Sequence, residues 1–464
     1  MTRILLASAG ALALAACATG PTYQAKQVAP AAAAPFIGDV NSTLVSSAQP
    51  DQNWWRLYND PVLDRLVADA LAANTDIRVA EARLARARAL LREERGAREP
   101  QIGVGGGVQY QRTPGPEIPG QDRSNIVGDV GADVSYEVDL FGRIGRRVEA
   151  ARGDVAASAA DADAVRVLIV ADTTRAYADA VAAAEQAAVA QRIVDLLNRS
   201  LSLTQRRKDV GLGNGLDVAR IAGLRDQRLA EIPLYLAERQ AALFRLATLT
   251  GRAPRELPVE TTFRTSSLKL DRPIPVGDGA LLLARRPDVR AAERRLAAAT
   301  ARIGVATADL YPRISLGGSV GATNPIGDLF TGNALSWVIG PLLNWTVNRT
   351  AARARIAGAE ADAQAALAQF DGTVLGALEE TETSLSRYQQ SVARRTALAA
   401  ARNQAEAAAR IARARQREGD ISSLELIDAE RTVADAQAQL ALADAAITEA
   451  QIALFRALGG SWQA

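Results

Sequence analysis

The sequence predicts an α+β membrane protein in which membrane-crossing β-strands lead into very long α-helices, with an internal two-fold repeat. Three observations predict it. Asp76-Ile-Arg-Val-Ala-Glu-Ala-Arg-Leu84 returns as Asp288-Val-Arg-Ala-Ala-Glu-Arg-Arg-Leu296, and Glu99-Pro-Gln-Ile-Gly-Val-Gly-Gly-Gly-Val108 returns as Tyr311-Pro-Arg-Ile-Ser-Leu-Gly-Gly-Ser-Val320. Four segments alternate apolar and polar residues, the pattern of strands with two unlike faces. Two stretches of strong helix formers, 143–209 and 348–418, contain no proline. Repeated units usually bury their apolar faces only beside their neighbours, so each copy is read as incomplete.

Composition narrows the function classes. Among 464 residues alanine dominates, aromatics are 4%, histidine is absent, and Met1 and Cys17 are single. Without imidazole there is no Ser-His-Asp or Cys-His catalysis and no His-ligated metal. A lone cysteine excludes an internal disulfide or a CxxC redox site. A net charge of +2 is too balanced for nucleic-acid binding. No run reaches the ~18 apolar residues of a transmembrane helix, so strands must do any spanning.

The N-terminus is read as a processing segment: Arg3, an apolar stretch from Ile4 to Ala13, then Leu14-Ala-Ala-Cys17. An ordinary secretory signal with an incidental cysteine is one reading. The other is a bacterial lipoprotein signal, because Leu-Ala-Ala-Cys resembles the lipobox. That resemblance implies removal of residues 1–16, a diacylglyceryl thioether on Cys17 and an acylated amino group, which together give stable anchoring. Ala18 stands where that class's inner-membrane retention aspartate would be, so delivery to the outer membrane is expected. Residues 17–53 are rich in Ala, Pro, Ser and Gln and are expected to form an extended tether.

The first copy is expected over 54–275. Trp54 and Trp55 read as buried anchors, and Asp60-Pro61 as a helix start with the acid at the cap. Ile102, Val104, Val108 and Tyr110 alternate with glycines and Gln109 in the first strand. In the second, 130–140, an apolar face from Val130 to Leu140 opposes Asp129, Asp133, Glu137 and Asp139, read as a wet lumen face. A Pro/Gly loop at 113–125 joins them. The helix over 143–209 would be about 100 Å long, ending at Gly211 after basic residues, the expected stop chemistry. A shorter helix returns to Leu249.

The second copy, 276–464, repeats the order. Its strands carry Ile314, Leu316 and Val320, then Leu335, Trp337 and Ile339, with a loop at 323–334. Its long helix spans 348–418 and stops at Gly419, and a helix returns to Leu458. Tyr110, Phe141, Tyr311 and Trp345 lie near strand ends, as interfacial aromatics do. Four strands cannot close a barrel and an open edge is not tolerated in lipid, so several chains must contribute.

Taken together these features resemble the TolC-type outer membrane factors, in particular the lipid-anchored NodT-like branch serving resistance-nodulation-division pumps. The matching pieces are Cys17 with Gly20-Pro-x-Tyr23, Trp54-Trp55 with Asp60-Pro61-x-Leu63, Arg285-Arg-Pro-Asp-Val-Arg-Ala-Ala-Glu293, Asp139-Leu-Phe-Gly-Arg143 and the turns at 211 and 419. The resemblance implies a homotrimer with a twelve-stranded barrel continued by an α-helical coiled-coil tunnel through the periplasm. It implies no cofactor beyond the lipid, and outer membrane lipids, a periplasmic adaptor (membrane fusion) protein and an inner-membrane transporter as partners. The expected function is passive efflux of small molecules gated at the helical tip. Type I protein secretion, which shares the architecture, and a lipid-anchored coiled-coil scaffold without a pore are the alternatives.

The candidate site residues follow from these readings. Asn214-Gly-Leu-Asp217 and Ser422-Ser-Leu-Glu425 each read as a helix cap with an acid three positions on. The family resemblance instead makes Asp217 a gate contact and Glu425 part of a pore constriction, and both readings stand. Asp428, one turn beyond Glu425 on the same face, is too deep to cap. In a trimer the pair would form rings of three carboxylates; otherwise Asp428 is a solvated surface charge. The turns Gly211-Leu212-Gly213 and Gly419-Asp420-Ile421 are the adaptor-contact candidates. The first copy has Arg220 or Ile221 near the position of Asp428, so the gate is expected to be asymmetric.

Overall fold

The computed structural model describes residues 19–26, 29–39, 43–49, 53–112, 124–270, 272–331 and 334–460. Cys17, the processing segment and most of the loop expected at 113–125 lie outside them. In chain order the elements are β1 (Val45–Ser46), α1 (Pro61–Ala73), α2 (Thr75–Gly96), β2 (Gln101–Arg112) and β3 (Ser124–Val138). Then come α3 (Arg143–Asp209), α4 (Gly215–Leu249), β4 (Ile274–Pro275), α5 (Gly279–Arg285) and α6 (Pro287–Ala308). The series closes with β5 (Arg313–Pro325), β6 (Leu335–Asn344), α7 (Thr350–Glu418) and α8 (Ser423–Ala457). Among the described residues no helix is long and apolar enough to cross a membrane.

The chain groups into two compact units, each drawing on both copies of the repeat. One gathers residues up to Lys26, Arg83–Ala159 and Ala291–Asp371; the other gathers Gln27–Ala82, Ala160–Arg290 and residues from Gly372 onward. The first unit holds an antiparallel sheet in the order β2-β3-β5-β6. Beneath it, Leu91 of α2 packs on Ile144, Val148 and Ala151 of α3. Small residues let the helices approach closely: a Cβ at Gly153 would fall 2.9 Å from that of Ala298 on α6.

The second unit holds the main core. Trp54 is 2% exposed and stacks on Phe455 of α8 with centroids 4.7 Å apart, as expected of a buried anchor. Asp60 caps α1 by accepting the N–H groups of Val62 (2.8 Å) and Leu63 (3.1 Å). Its other oxygen accepts Tyr177 Oη (3.0 Å) and Arg264 Nη1 (2.8 Å). One buried carboxylate therefore joins α1, α3 and the segment after α4.

The Arg285-Arg286-Pro287-Asp288 motif closes the end of a helix. Arg285 and Arg286 donate to the carbonyls of Leu458 (2.6 Å) and Ala457 (2.6 Å), the unpaired groups at the end of α8. In the first copy Asn74 does this with one bond, Nδ2 to Leu249 O at 2.9 Å. Burial lowers the Arg285 guanidinium to about 10.

In the segment expected as an extended tether, the described residues around Phe36 and β1 pack within the second unit. Phe36 is 2% exposed, and β1 pairs in parallel with β4. Glu382 of α7 accepts the backbone N–H groups of Ile37 (2.7 Å) and Gly38 (3.3 Å). The low-complexity composition hid single apolar residues that find pockets on the folded helices.

Candidate functional site: the sheet and the helical tip

The register aligns one face across all four strands. Val104 lies opposite Ala132, Ala132 opposite Val320, and Val320 opposite Trp337. The same rows carry Ile102, Val134, Leu316, Ile339 and Leu343. These side chains face outward without cover in the single chain: Val104 is 82% exposed and Ile339 77%. Such a band is what a lipid-facing barrel wall presents. The chain's sheet is open, for neither β2 nor β6 pairs on its outer edge among the described residues. Pro341, which cannot donate to a ladder, lies in edge strand β6.

The opposite face carries the acids. Asp129 stands between Gly107 and Thr323, and Asp133 between Gly103 and Ser319. A Cβ at Gly103 would fall 2.6 Å from the Asp133 carboxylate, and one at Gly107 2.8 Å from that of Asp129. The glycines of β2 thus make room for the carboxylates of β3. Val338 and Leu342 of β6 share this face, so it is only partly polar.

Two of the four acids expected on the lumen face bond at the strand–helix junction: Glu137, opposite Ser315, keeps the face of Asp133, while Asp139 lies beyond the strand. Asp139 stands past the end of β3 and accepts the N–H groups of Ile144 (3.0 Å) and Gly145 (2.7 Å), capping α3. Glu137 accepts Arg143 Nε at 3.1 Å. The first turn of α3 presents unpaired N–H groups within reach of Asp139 and the Arg143 guanidinium within reach of Glu137, and sequence alternation could not register that competition. At the same end of the sheet Phe141 stacks on Tyr311 at 4.6 Å, and Trp345 donates to Leu310 O at 3.2 Å.

At the C-terminal ends of α3 and α7 the two turns are built alike. Leu212 N bonds Arg207 O (2.8 Å) and Asp420 N bonds Arg415 O (2.9 Å), each across a glycine of positive φ, +80° at Gly211 and +84° at Gly419. This is the Schellman stop. A Cβ at either glycine would meet nothing, so the backbone angle alone requires glycine there. Val210, Leu212, Leu216 and Leu424 are exposed around these turns.

The structure separates the tip acids. Asn214 Oδ1 accepts the Asp217 N–H (2.9 Å) and Ser422 Oγ accepts that of Glu425 (3.3 Å). The cap side chains do the capping, and neither acid reaches back. Asp217 is half-buried, while Glu425 and Asp428 are exposed on one side of α8, away from buried Leu426, Ile427 and Glu430. Among the described residues none of the three carboxylates has a hydrogen-bond partner.

Sequence reasoning missed the polar ties around them. Arg413 of α7 makes a two-pronged pair with Glu430 of α8 at 2.6 and 2.7 Å, and Glu430 is 2% exposed. The Glu430 bond raises the Arg413 guanidinium further above its ordinary value. Between the two hairpins, Arg207 Nη1 donates to Gln416 O (3.3 Å) and Arg228 pairs with Asp435. Ile193, Leu197, Ile221, Leu224 and Ile427 form the small apolar core beneath. Only the residue spacing across the turn at 419–421 could have signalled the Arg413–Glu430 pair; the ties between hairpins are too distant in sequence.

Comparison with known proteins agrees with this geometry. The model of the outer membrane efflux protein family matches twice, over residues 66–252 and 280–460. The outer membrane protein OprJ of Pseudomonas aeruginosa is 32% identical over 468 residues, covering 97% of this chain and 94% of its own. The pyoverdine export outer membrane protein OpmQ of Pseudomonas putida is 31% identical over 462 residues, covering 98% and 96%. The solved outer-membrane channel OprN superposes with a TM-score of 0.89 at 36% identity, covering 96% of this chain and all of its own.

Proposed function

The chain belongs to the outer membrane efflux protein family, and on that premise we propose that three copies form one duct closed at its helical tip. Its function is outer membrane efflux, and it is a channel component of an efflux pump rather than an enzyme. The open four-stranded sheet carries the proposal. Its outward apolar band suits lipid but its unpaired edges cannot stand there, and three copies make the twelve strands of a closed barrel. Asp129 and Asp133 then face a water-filled lumen. The helices of 67 and 69 residues continue the wall for about 100 Å, so transported molecules meet water and polar walls instead of lipid.

Such a duct supplies no energy. A periplasmic adaptor and an inner-membrane resistance-nodulation-division transporter provide the coupling, and the turns at 211–213 and 419–421, with exposed Val210, Leu212 and Leu424, are the surface offered to the adaptor. Acylation of Cys17 anchors the chain to the outer membrane. Asp217 is the gate contact of this reading, its carboxylate left free for a neighbouring copy.

Glu425 and Asp428 form the constriction. Unpaired and exposed on one face of α8, they repeat by threefold symmetry into two rings that draw cations. Opening by movement of the α7–α8 hairpin against α3–α4 breaks Arg207–Gln416 and Arg228–Asp435 but leaves Arg413–Glu430 intact within its hairpin. The test is the reversal potential of the reconstituted channel under a potassium chloride gradient. Cation preference is expected to fall toward neutrality in Glu425→Gln/Asp428→Asn; an unchanged preference removes the ring assignment.

A further inference from the structure

We propose that residues Thr19–Tyr23 and Arg146 form a clamp that seats the lipid-bearing N-terminus at the helix-side end of the sheet, level with the Phe141–Tyr311 pair. The inference rests on the acylation of Cys17 proposed above and goes beyond it. It makes the anchor a positioned element rather than the end of a free tether.

The clamp is built from consecutive contacts. The Thr19 N–H and Oγ1 both donate to Phe141 O, at 3.3 and 3.0 Å, and Oγ1 also reaches Gly304 O at 3.3 Å. Arg146, 6% exposed, donates through Nε to Thr19 O (3.1 Å) and through Nη2 to Gly20 O (3.2 Å) and Thr22 Oγ1 (3.3 Å). Its remaining nitrogen pairs with Glu149 at 2.8 Å. The segment thus takes up three of the hydrogen bonds that this buried guanidinium needs while docked. Tyr23 Oη donates to Glu293 at 3.2 Å, and Lys26 pairs with Asp371 at 2.7 Å.

Gly20 fixes the crossing. Its φ is +84°, and a Cβ there would lie 2.4 Å from Gly304 Cα, backbone against backbone. No other residue fits both the angle and the space. This gives the Gly20-Pro-x-Tyr23 motif a physical role. Cys17 is two residues before Thr19, a reach of at most ~7 Å. The clamp therefore limits how far from the Phe141–Tyr311 pair its acyl chains can begin.

The test uses the full-length protein in outer membranes, with the photocrosslinking substitution Ala18→p-benzoylphenylalanine and, in parallel, radiolabelled palmitate. Crosslinks are expected on peptides carrying Phe141 and Gly304. They should fall roughly tenfold in Gly20→Val and in Arg146→Gln, with palmitate incorporation unchanged. Gly20→Val alters only the docked segment, so it keeps the test valid if Arg146→Gln does not fold. Crosslinks that are scattered, or equal in wild type and Gly20→Val, overturn the clamp while acylation stands. Crosslinks at the expected peptides without palmitate overturn the acylation reading, and with it the role of the clamp in placing a lipid.

Discussion

Asp60 shows how much one side chain can hold. It caps α1 and also receives Tyr177 and Arg264 in a site where it is 4% exposed. Asp60→Ala strands a guanidinium and a phenol against a cavity, which should cost about 3–5 kcal/mol. The expected outcome is a lowered urea midpoint in circular dichroism, with Asp60→Asn recovering part of the loss because it can still cap. Asp288 links stability to pH. Burial alone would raise its carboxyl, but the two-pronged bond and charge of Arg286, with the Val289 N–H, outweigh burial and hold it below the usual 3.8. A carboxyl with a depressed folded value stabilises above its unfolded value and loses that contribution as pH falls through the folded one. Thermal midpoints should therefore be flat from neutral pH to about 4 and fall below it, and Asp288→Asn should flatten that acid limb while lowering the neutral plateau.

At the scale of elements, the Arg413–Glu430 pair holds α7 to α8 just behind the turn. Arg413→Ala leaves a buried carboxylate unpaired, and amide hydrogen exchange should quicken over the last two turns of α7 and the first two of α8. Unchanged protection there would remove the pair from the account. The elements also show what the sequence could reveal. The end of α3 was legible because helix formers, basic residues and Gly211 all agree, and the observed Arg143–Asp209 has the expected bounds. The start of α7 slips by two residues to Thr350 because Asn348 Oδ1 accepts the Thr350 N–H (3.1 Å) and caps it. Strand β3 begins at Ser124 rather than 130, since Ile126-Val127-Gly128 breaks the alternation while still pairing with β2. Asp139 reads from sequence as a lumen-face acid, because its capping role depends on where the strand ends. Phe36 and β1 were hidden because burial of a sparse apolar residue depends on pockets made by remote helices.

For the whole molecule, the duplication explains both assembly and asymmetry. Each copy supplies two strands and one long helical hairpin, and the family model matches each copy separately. The hairpins are alike at their glycine turns and unlike one turn later, where the second carries Asp428 and the first Arg220 and Ile221. The ties between hairpins, Arg207–Gln416 and Arg228–Asp435, are the contacts that the proposed opening would break. The most direct test of a continuous duct gated at the helical tip is single-channel conductance in planar bilayers, comparing wild type with Arg207→Ala/Arg228→Ala. The expected result is brief, small openings in wild type and long-lived, larger ones in the variant. Absence of openings in both, or identical conductance and open times, would contradict it.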